Sequence, residues 1–211
     1  MKRILFFLAL SVLIGSCTQD DHTYAEIVTD YGTMKVMLYN TTPKHRDNFI
    51  KLVNEGFYDG LLFHRVMNGF MIQGGDPDSK NANPGQRLGM GGPGYMVDQE
   101  IGAPHLKGAL AAAQPPNSPQ KRSSGSQFYV VQGQPMTDQA LDEMEKRQNI
   151  KYSEPQRQLY REIGGTPFLD NLYTVFGEVV EGLDVIDKVA AVPVDDSNRP
   201  VEDVKMTIKI L

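Results

Sequence analysis

Residues 63–76, FHRVMNGFMIQGGD, place one positively charged side chain, Arg65, among hydrophobic ones. The apolar neighbours are Phe63, Val66, Phe70, Met71 and Ile72. The Asn68-Gly69 pair is typical of a tight hairpin turn, so Leu61 to Gly75 is predicted to form two short strands. An arginine in this setting either forms an ion pair at the surface or serves a binding site. The stretch alone leaves both open.

Outside this stretch the chain indicates many short strands. Residues 24–30 and 33–39 alternate apolar and polar side chains and predict a hairpin that turns at Tyr31-Gly32. Further strands are predicted at residues 109–114, 127–132, 174–180 and 205–211. Because no strand–helix–strand repeat is present, the pattern favours an antiparallel barrel or sandwich.

Two amphipathic helices accompany the strands. Pro43 suits the first turn of a helix, Phe49 and Val53 recur at helical spacing, and Gly56 is a helix stop. Residues 182–192 repeat apolar side chains at helical spacing and predict the second helix.

Two long segments interrupt this pattern of strands. Residues 76–94 are rich in glycine, proline and asparagine and predict a turn-rich loop. Residues 134–167 are charged, with Leu141 and Met144 at helical spacing, and are interpreted as a helical insertion. A disordered excursion is the alternative.

The composition excludes several classes of protein. The chain has 211 residues, enough for one good-sized domain, and a formal net charge of −5. A nucleic-acid-binding protein would need a basic face, which this charge argues against. The chain has one cysteine, at position 17, so it can form no disulfide framework.

Two segments resemble cofactor-binding motifs, but their neighbouring residues do not fit those motifs. Gly89, Gly91 and Gly94 match the dinucleotide-binding spacing, but Pro93 and the residues 95–97 follow where a helix should begin. Residues 76–81 begin like a calcium loop, but Lys80 occupies a ligand position. We therefore expect neither nucleotide nor calcium.

The histidines and serines suggest no catalytic centre. The four histidines include no pair at metal-ligand spacing, so no metal site and no cofactor are expected. His64 adjoins a strongly apolar strand and is interpreted as a buried structural histidine. No serine lies in a nucleophile turn, so a catalytic triad is not expected.

The N-terminus has the pattern of an export signal. Lys2 and Arg3 precede an apolar run that is too short to span a bilayer but suits a signal peptide. The run ends in LIGSC, which resembles a bacterial lipoprotein cleavage site. That resemblance implies a signal peptide at 1–16, acylation of Cys17 and a lipidated tether at 17–23. A plain signal peptide with an incidental cysteine is the alternative.

The stretch 63–76 resembles the signature of the cyclophilin-type peptidyl-prolyl cis-trans isomerases. GSQFYV at 125–130 and VFGEVVEG at 175–182 match other blocks of that family, in the same order. The resemblance covers residues 24–211, with 134–167 as an insertion. It implies a mainly β fold, a closed eight-stranded antiparallel β-barrel capped by two α-helices.

The implied reaction explains why the chain offers no nucleophile. Rotation about an X–Pro bond breaks no covalent bond and requires only that the partial double bond of the amide be weakened. A guanidinium that donates to the prolyl nitrogen would hold its lone pair away from the carbonyl. Proline-containing unfolded or flexible polypeptides are the implied partners.

The resemblance assigns roles to particular residues. Arg65 matches the catalytic arginine, and Gln73 the glutamine that orients it. The matched substrate-binding residues are Phe70, Met71, Ala113, Gln114, Gln127, Tyr129, Phe168, Leu169 and Tyr173. Phe128 and Tyr129 are neighbours on a strand and must point to opposite faces, and we assign Tyr129 to the groove. Phe168 lies where eukaryotic members often carry tryptophan, which puts tight binding of cyclosporin-like ligands in doubt.

The resulting hypothesis is a monomeric, lipid-anchored isomerase of the bacterial cell envelope that faces the periplasm or the cell surface and acts during protein folding. A non-catalytic peptide-binding chaperone module on the same fold is the alternative. A structural lipoprotein with a degenerate site is weaker, because Arg65 and Gln73 are both intact. The 134–167 insertion is expected to border the groove.

Overall fold

The computed structural model describes residues 22–116 and 118–211. The predicted signal peptide, Cys17 and most of the predicted tether lie outside the described residues. Within the described residues, no helix is both long enough and apolar enough to cross a membrane.

The described residues form a mainly β fold. The strands are β1 Thr23–Thr29, β2 Gly32–Leu38, β3 Arg65–Met67, β4 Met71–Gly74, β5 Met96–Val97, β6 Ala109–Ala112, β7 Ser123–Ser124, β8 Phe128–Val131, β9 Val175–Glu181 and β10 Thr207–Ile210. Eight of them make one curled antiparallel sheet in the order β10-β1-β2-β9-β6-β8-β4-β3. Strands β5 and β7 form a separate pair that the sequence did not predict.

The first hairpin shows why its turn residues are needed. Thr29 pairs with Gly32, so the two-residue turn is Asp30-Tyr31, one position earlier than predicted. Gly32 has a φ of +132°, and a Cβ there would lie 2.8 Å from a methyl of Val185. Glycine therefore serves both the backbone conformation and the close approach of the following helix.

The prediction of a closed barrel is not confirmed, because the eight-stranded sheet ends in two edge strands, β10 and β3. The chain next to these edges does make contact. Phe63 N–H donates to the carbonyl of Val204 at 2.9 Å, and Met206 N–H to that of Leu61 at 2.8 Å. These backbone bonds precede both edge strands in the sequence, so the sheet is a curled half-barrel with an irregular seam.

The helices are α1 Pro43–Asn54, α2 Asp138–Gln148, α3 Glu154–Glu162 and α4 Leu183–Ala190. The two predicted flanking helices are α1 and α4, and both are confirmed. Helix α1 buries Phe49 and Leu52, and α4 buries Ile186 and Val189, in the core that fills the concave side of the sheet.

The 134–167 segment is helical, as predicted, and has a small core of its own. Leu141, Tyr152 and Tyr160 are buried there against partly buried apolar neighbours. Helix α3 begins with a capping box, in which Ser153 and Gln156 exchange side-chain and backbone hydrogen bonds. The alternative of a disordered excursion is therefore wrong.

The N-terminus of α1 is capped from a distant part of the chain. Thr42 at the N-cap makes no side-chain capping bond. Instead the Glu100 carboxylate accepts the backbone N–H of Lys44 at 3.1 Å and that of His45 at 3.0 Å. A carboxylate there satisfies free N–H groups and complements the positive end of the helix dipole.

Candidate active site

Three of the predicted site residues, Arg65, Gln73 and Tyr129, share the outer face of the sheet. Arg65 pairs with Gln73 between β3 and β4, Gln73 pairs with Tyr129 between β4 and β8, and Tyr129 pairs with Ala111 between β8 and β6. Directly opposed residues lie on the same face of a sheet, so the row crosses four strands. Phe128 points the other way, into the main core. The assignment of Tyr129 to the groove is confirmed.

A cavity of about 620 Å³ lies over this face. The predicted residues that line it are Arg65, Phe70, Met71, Gln73, Ala113, Gln114, Gln127, Tyr129, Leu169 and Tyr173. Phe168 does not line it. Its side chain is 46% exposed, and its ring lies 5.5 Å from the ring of Phe70, so it forms a rim.

The polar side of the cavity is a directed chain of hydrogen bonds. Arg65 Nη1 donates to Gln73 Oε1 at 3.1 Å, Gln73 Nε2 donates to Gln127 Oε1 at 3.0 Å, and Gln127 Nε2 donates to the carbonyl of Gly91 at 2.8 Å. A guanidinium can only donate and a carbonyl can only accept. Both ends of the chain therefore fix the orientation of the two amides between them.

Arg65 has no acidic partner among residues 22–116 and 118–211. Its second terminal nitrogen contacts Met67 Sδ at 3.2 Å, and a thioether is a weak acceptor. The guanidinium is half-buried at the cavity wall. The described residues therefore form no surface ion pair with Arg65, and the cation retains hydrogen-bonding capacity toward the cavity.

The apolar side of the cavity is aromatic. The rings of Tyr129 and Tyr173 meet edge to face with centroids 6.2 Å apart. Burial raises the pKa of Tyr129 well above its usual value, so its hydroxyl stays protonated. Met71 and Leu169 complete an apolar surface next to the Arg65 guanidinium.

The opposite wall comes from a loop that the sequence did not connect with the site. Residues 85–91 line the cavity, and Asp76 holds this loop by accepting the backbone N–H of Gly89. A Cβ on Gly91 would lie 2.1 Å from Asp76 Oδ1. Gly91 is thus needed for close packing on a buried carboxylate, and Gly89 has a φ of +100°, a backbone conformation that favours glycine.

Two buried histidines have different surroundings. His64, predicted to be structural, is 4% exposed but also touches the cavity. Burial lowers its pKa to about 4, and the positive charges of Arg65 and Arg199 act in the same direction. His105, which the sequence did not single out, contacts the hydroxyl of Tyr129 through Nε2 at 3.0 Å.

A triad-like cluster lies elsewhere, although no triad was expected. His45 Nδ1 lies 2.7 Å from Glu100 Oε2, and His45 Nε2 lies 3.0 Å from Ser123 Oγ. Ser123 is 2% exposed, and the cavity beside His45 holds only about 20 Å³. No acyl substrate fits there, so the cluster ties α1 to β7 and is not a hydrolytic centre.

Comparison with known proteins gives consistent results. Residues 24–209 match the family model "Cyclophilin type peptidyl-prolyl cis-trans isomerase/CLD". The Staphylococcus haemolyticus protein named "Putative peptidyl-prolyl cis-trans isomerase" is 36% identical over 193 residues, 88% of this chain and 89% of that protein. The protein of the same name from Staphylococcus aureus (strain USA300) is 36% identical over 183 residues, 83% of this chain and 85% of that protein.

Solved structures give the same result for the fold. The crystal structure of a Cryptosporidium parvum cyclophilin type peptidyl-prolyl cis-trans isomerase has a TM-score of 0.65 at 26% identity, covering 90% of this chain and 98% of that one. Its structure in the presence of the dipeptide ala-pro has a TM-score of 0.64 at 27% identity, covering 89% and 98%.

Proposed function

The chain belongs to the cyclophilin-type peptidyl-prolyl cis-trans isomerases, and from this membership we propose that Arg65 is its catalytic residue and that it acts on proline-containing polypeptides in the bacterial cell envelope. The observation that supports the catalytic role is the half-buried guanidinium, which has no carboxylate partner in the described chain and is held by the amide of Gln73.

The proposed mechanism follows from amide resonance. The uncatalysed barrier is about 18–20 kcal/mol because the C–N bond has partial double-bond character. A hydrogen bond from Arg65 to the prolyl nitrogen engages the lone pair that would otherwise delocalise onto the carbonyl. A charge-assisted bond contributes about 1.5–3 kcal/mol, or roughly ten- to a hundredfold in rate. The remainder comes from binding the twisted form better than either planar isomer.

The rest of the cavity would hold the peptide. The Cryptosporidium relative was crystallised in the presence of ala-pro, and we propose that this cavity takes an equivalent segment. Phe70, Met71 and Tyr129 would contact the proline ring, with Leu169, Tyr173 and the rim residue Phe168 around it. Gln114 Nε2 is buried with no hydrogen-bond partner in the described chain, so it can donate to a peptide carbonyl. Ala113 and Gln127 would contact the peptide backbone.

A refolding substrate limited by proline isomerisation tests the catalytic role. We expect the wild type to accelerate the slow phase and Arg65→Ala to lose about ten- to a hundredfold in kcat/KM. Arg46→Ala is the matched control, because Arg46 pairs with Asp47 on α1, away from the cavity. Equal acceleration by wild type and Arg65→Ala would overturn the mechanism. Binding without acceleration by the wild type would favour the chaperone module.

The cellular location is a separate proposal that rests on residues 1–23 of the sequence. Cleavage before Cys17 and acylation of its thiol would anchor the domain to a membrane. Cys17→Ala should then abolish lipid labelling and membrane retention in a bacterial host. Unchanged membrane fractionation of this variant would contradict the anchor without affecting the isomerase assignment.

We also propose that the enzyme acts as a monomer. Every residue assigned to the cavity comes from one chain, so the site is complete without a second copy. Light scattering should give the mass of one chain for the domain that begins at residue 24, and full activity should persist on dilution.

A further inference from the structure

We propose that the 134–167 insertion supports the proline pocket from behind, through a buried chain of side chains that ends at Tyr129. In this chain Tyr152 and Tyr160 position Asp170, and Asp170 positions His105. This proposal rests on the proposed role of Tyr129 in the groove and adds positioning residues that do not touch the substrate.

Asp170 is the centre of the chain. It is 4% exposed, and both of its oxygens are occupied. Oδ1 accepts the backbone N–H of His105 at 2.7 Å and meets His105 Nδ1 at 2.9 Å. Oδ2 accepts the hydroxyls of Tyr152 at 2.8 Å and Tyr160 at 2.5 Å. A buried carboxylate needs such donors, and half of these come from the insertion.

This arrangement assigns the protons of His105. Its Nδ1 faces a carboxylate, which can only accept, so we assign the hydrogen to Nδ1 and the acceptor role to Nε2. The hydroxyl of Tyr129 lies 3.0 Å from that Nε2 and donates to it. The Tyr129 O–H thus points into the protein, and its ring presents an apolar surface to the cavity in one fixed orientation.

The backbone of the insertion also packs on His105. Thr166 N–H donates to the His105 carbonyl at 2.8 Å, and a Cβ on Gly165 would lie 2.3 Å from that oxygen. The C-terminal end of the insertion therefore packs on the residue that holds Tyr129, and Gly165 N–H joins it to the N-terminal end by donating to the Gln134 carbonyl at 3.2 Å. No described residue of 134–167 lines the cavity, so the prediction that the insertion borders the groove is not confirmed. Its influence has to pass through contacts behind the wall.

Removal of single hydroxyls separates this role from the folding of the insertion. The rings of Tyr152 and Tyr160 pack on each other with centroids 5.3 Å apart and form its small core with Leu141. Tyrosine to phenylalanine substitutions keep that packing and remove the donors to Asp170. Tyr160→Phe removes only that bond, whereas Tyr152→Phe also removes a 3.3 Å contact with the Pro167 carbonyl.

The experiment uses the full chain and a short peptide that contains Ala-Pro. We expect Tyr160→Phe and the double variant Tyr152→Phe/Tyr160→Phe to lower kcat/KM by about two- to tenfold, the size of a lost hydrogen bond. The loss should appear as a higher KM with little change in kcat, because the pocket wall holds the proline ring equally in all its states. Tyr95→Phe, which removes an exposed hydroxyl bonded to Asn48, is the control and should change neither constant.

A double-mutant cycle with Tyr129→Phe tests whether the effect passes through Tyr129. Once the Tyr129 hydroxyl is gone, Tyr160→Phe should have little further effect on KM. Imidazole ¹⁵N spectra should show one neutral tautomer of His105 in the wild type and a mixture in the double variant. If the KM effects are instead additive, or if the variants leave both KM and the His105 spectrum unchanged, the insertion only stabilises the fold and the proposal is wrong.

The spectra also separate this proposal from the proposed function. If the wild type has no isomerase activity, the catalytic assignment fails. Peptide affinity and the His105 spectrum then still decide whether the hydroxyls position Tyr129.

Discussion

Arg65 shows how a neutral side chain can hold a cation without neutralising its charge. A carboxylate partner would occupy the guanidinium and compete with the proposed substrate, whereas Gln73 offers only one carbonyl oxygen at 3.1 Å. Gln127 and the Gly91 carbonyl then fix that amide. The wall loop at Gly91 is thereby connected to Arg65, so a shift of the loop would turn the arginine.

Replacing Gln73 by leucine tests this connection. Gln73→Leu keeps the volume and removes the acceptor, so we expect kcat to fall about ten- to a hundredfold, the value of a hydrogen bond to a charged group. Peptide isomerisation followed by NMR exchange measures it. Gln139→Leu, on the exposed surface of α2, is the control. An unchanged kcat would show that Arg65 is held by packing alone.

The burial of His64 predicts how the free energy of unfolding depends on pH. Its pKa is about 4 in the folded chain against about 6.5 in the unfolded chain, because burial disfavours the cation. As pH falls below 6.5 the unfolded chain binds the proton first, so the free energy of unfolding falls by about 1.4 kcal/mol per pH unit, and by about 3 kcal/mol in all. His64→Asn should flatten this slope between pH 6.5 and 4 in denaturant titrations. An identical slope would contradict the burial of a neutral ring.

Individual site residues could be predicted from the sequence only where they matched the motifs of the family. Ten of the eleven predicted site residues line the cavity, and Phe168 forms its rim. The contact between His105 and Asp170 was not predicted, because the two residues are 65 positions apart in the chain and no local sequence pattern indicates that they meet. The insertion tyrosines were missed for the same reason.

Among the elements, those with local signals were predicted well. Helix α1 has its proline, its apolar spacing and its glycine, and the β3–β4 hairpin has Asn68-Gly69. Strands β5 and β7 contain two residues each, too few for an alternation to be visible. The closed barrel was not confirmed because closure depends on how the edge strands meet, which no single stretch encodes.

Helix α1 also depends on a residue outside itself, and this leads to a prediction. Glu100→Ala should lower the free energy of unfolding by about 2 kcal/mol, because the helix loses its cap and His45 Nδ1 loses its partner. Glu55→Ala, at the exposed end of α1, should change it by less than about 0.5 kcal/mol. Urea titration measures both. Equal values for the two variants would show that Glu100 does not cap the helix.

Across the whole molecule, stability should be uneven. The main core buries one face of β1 and β2 against distant elements, whereas the insertion has three buried hydrophobic side chains. Amide hydrogen exchange should therefore be slowest at Ile27 and Val36, through global unfolding. The amides of α2 should exchange through a local opening of lower free energy. Equal protection of Leu141 and Val36 would contradict this division.

The position of β1 in the sheet has a consequence for how the protein folds during its synthesis. Ala25 lies opposite both Val36 in β2 and Ile210 in β10. The β10 side of β1 therefore stays unpaired until almost the whole chain has been synthesised. At a synthesis rate of about 5–20 residues per second, this interval is about 10–35 s. An unassisted prolyl bond needs tens of seconds to isomerise. The nascent isomerase is therefore an unfinished, edge-exposed chain for about as long as the proline-limited clients that we propose for it.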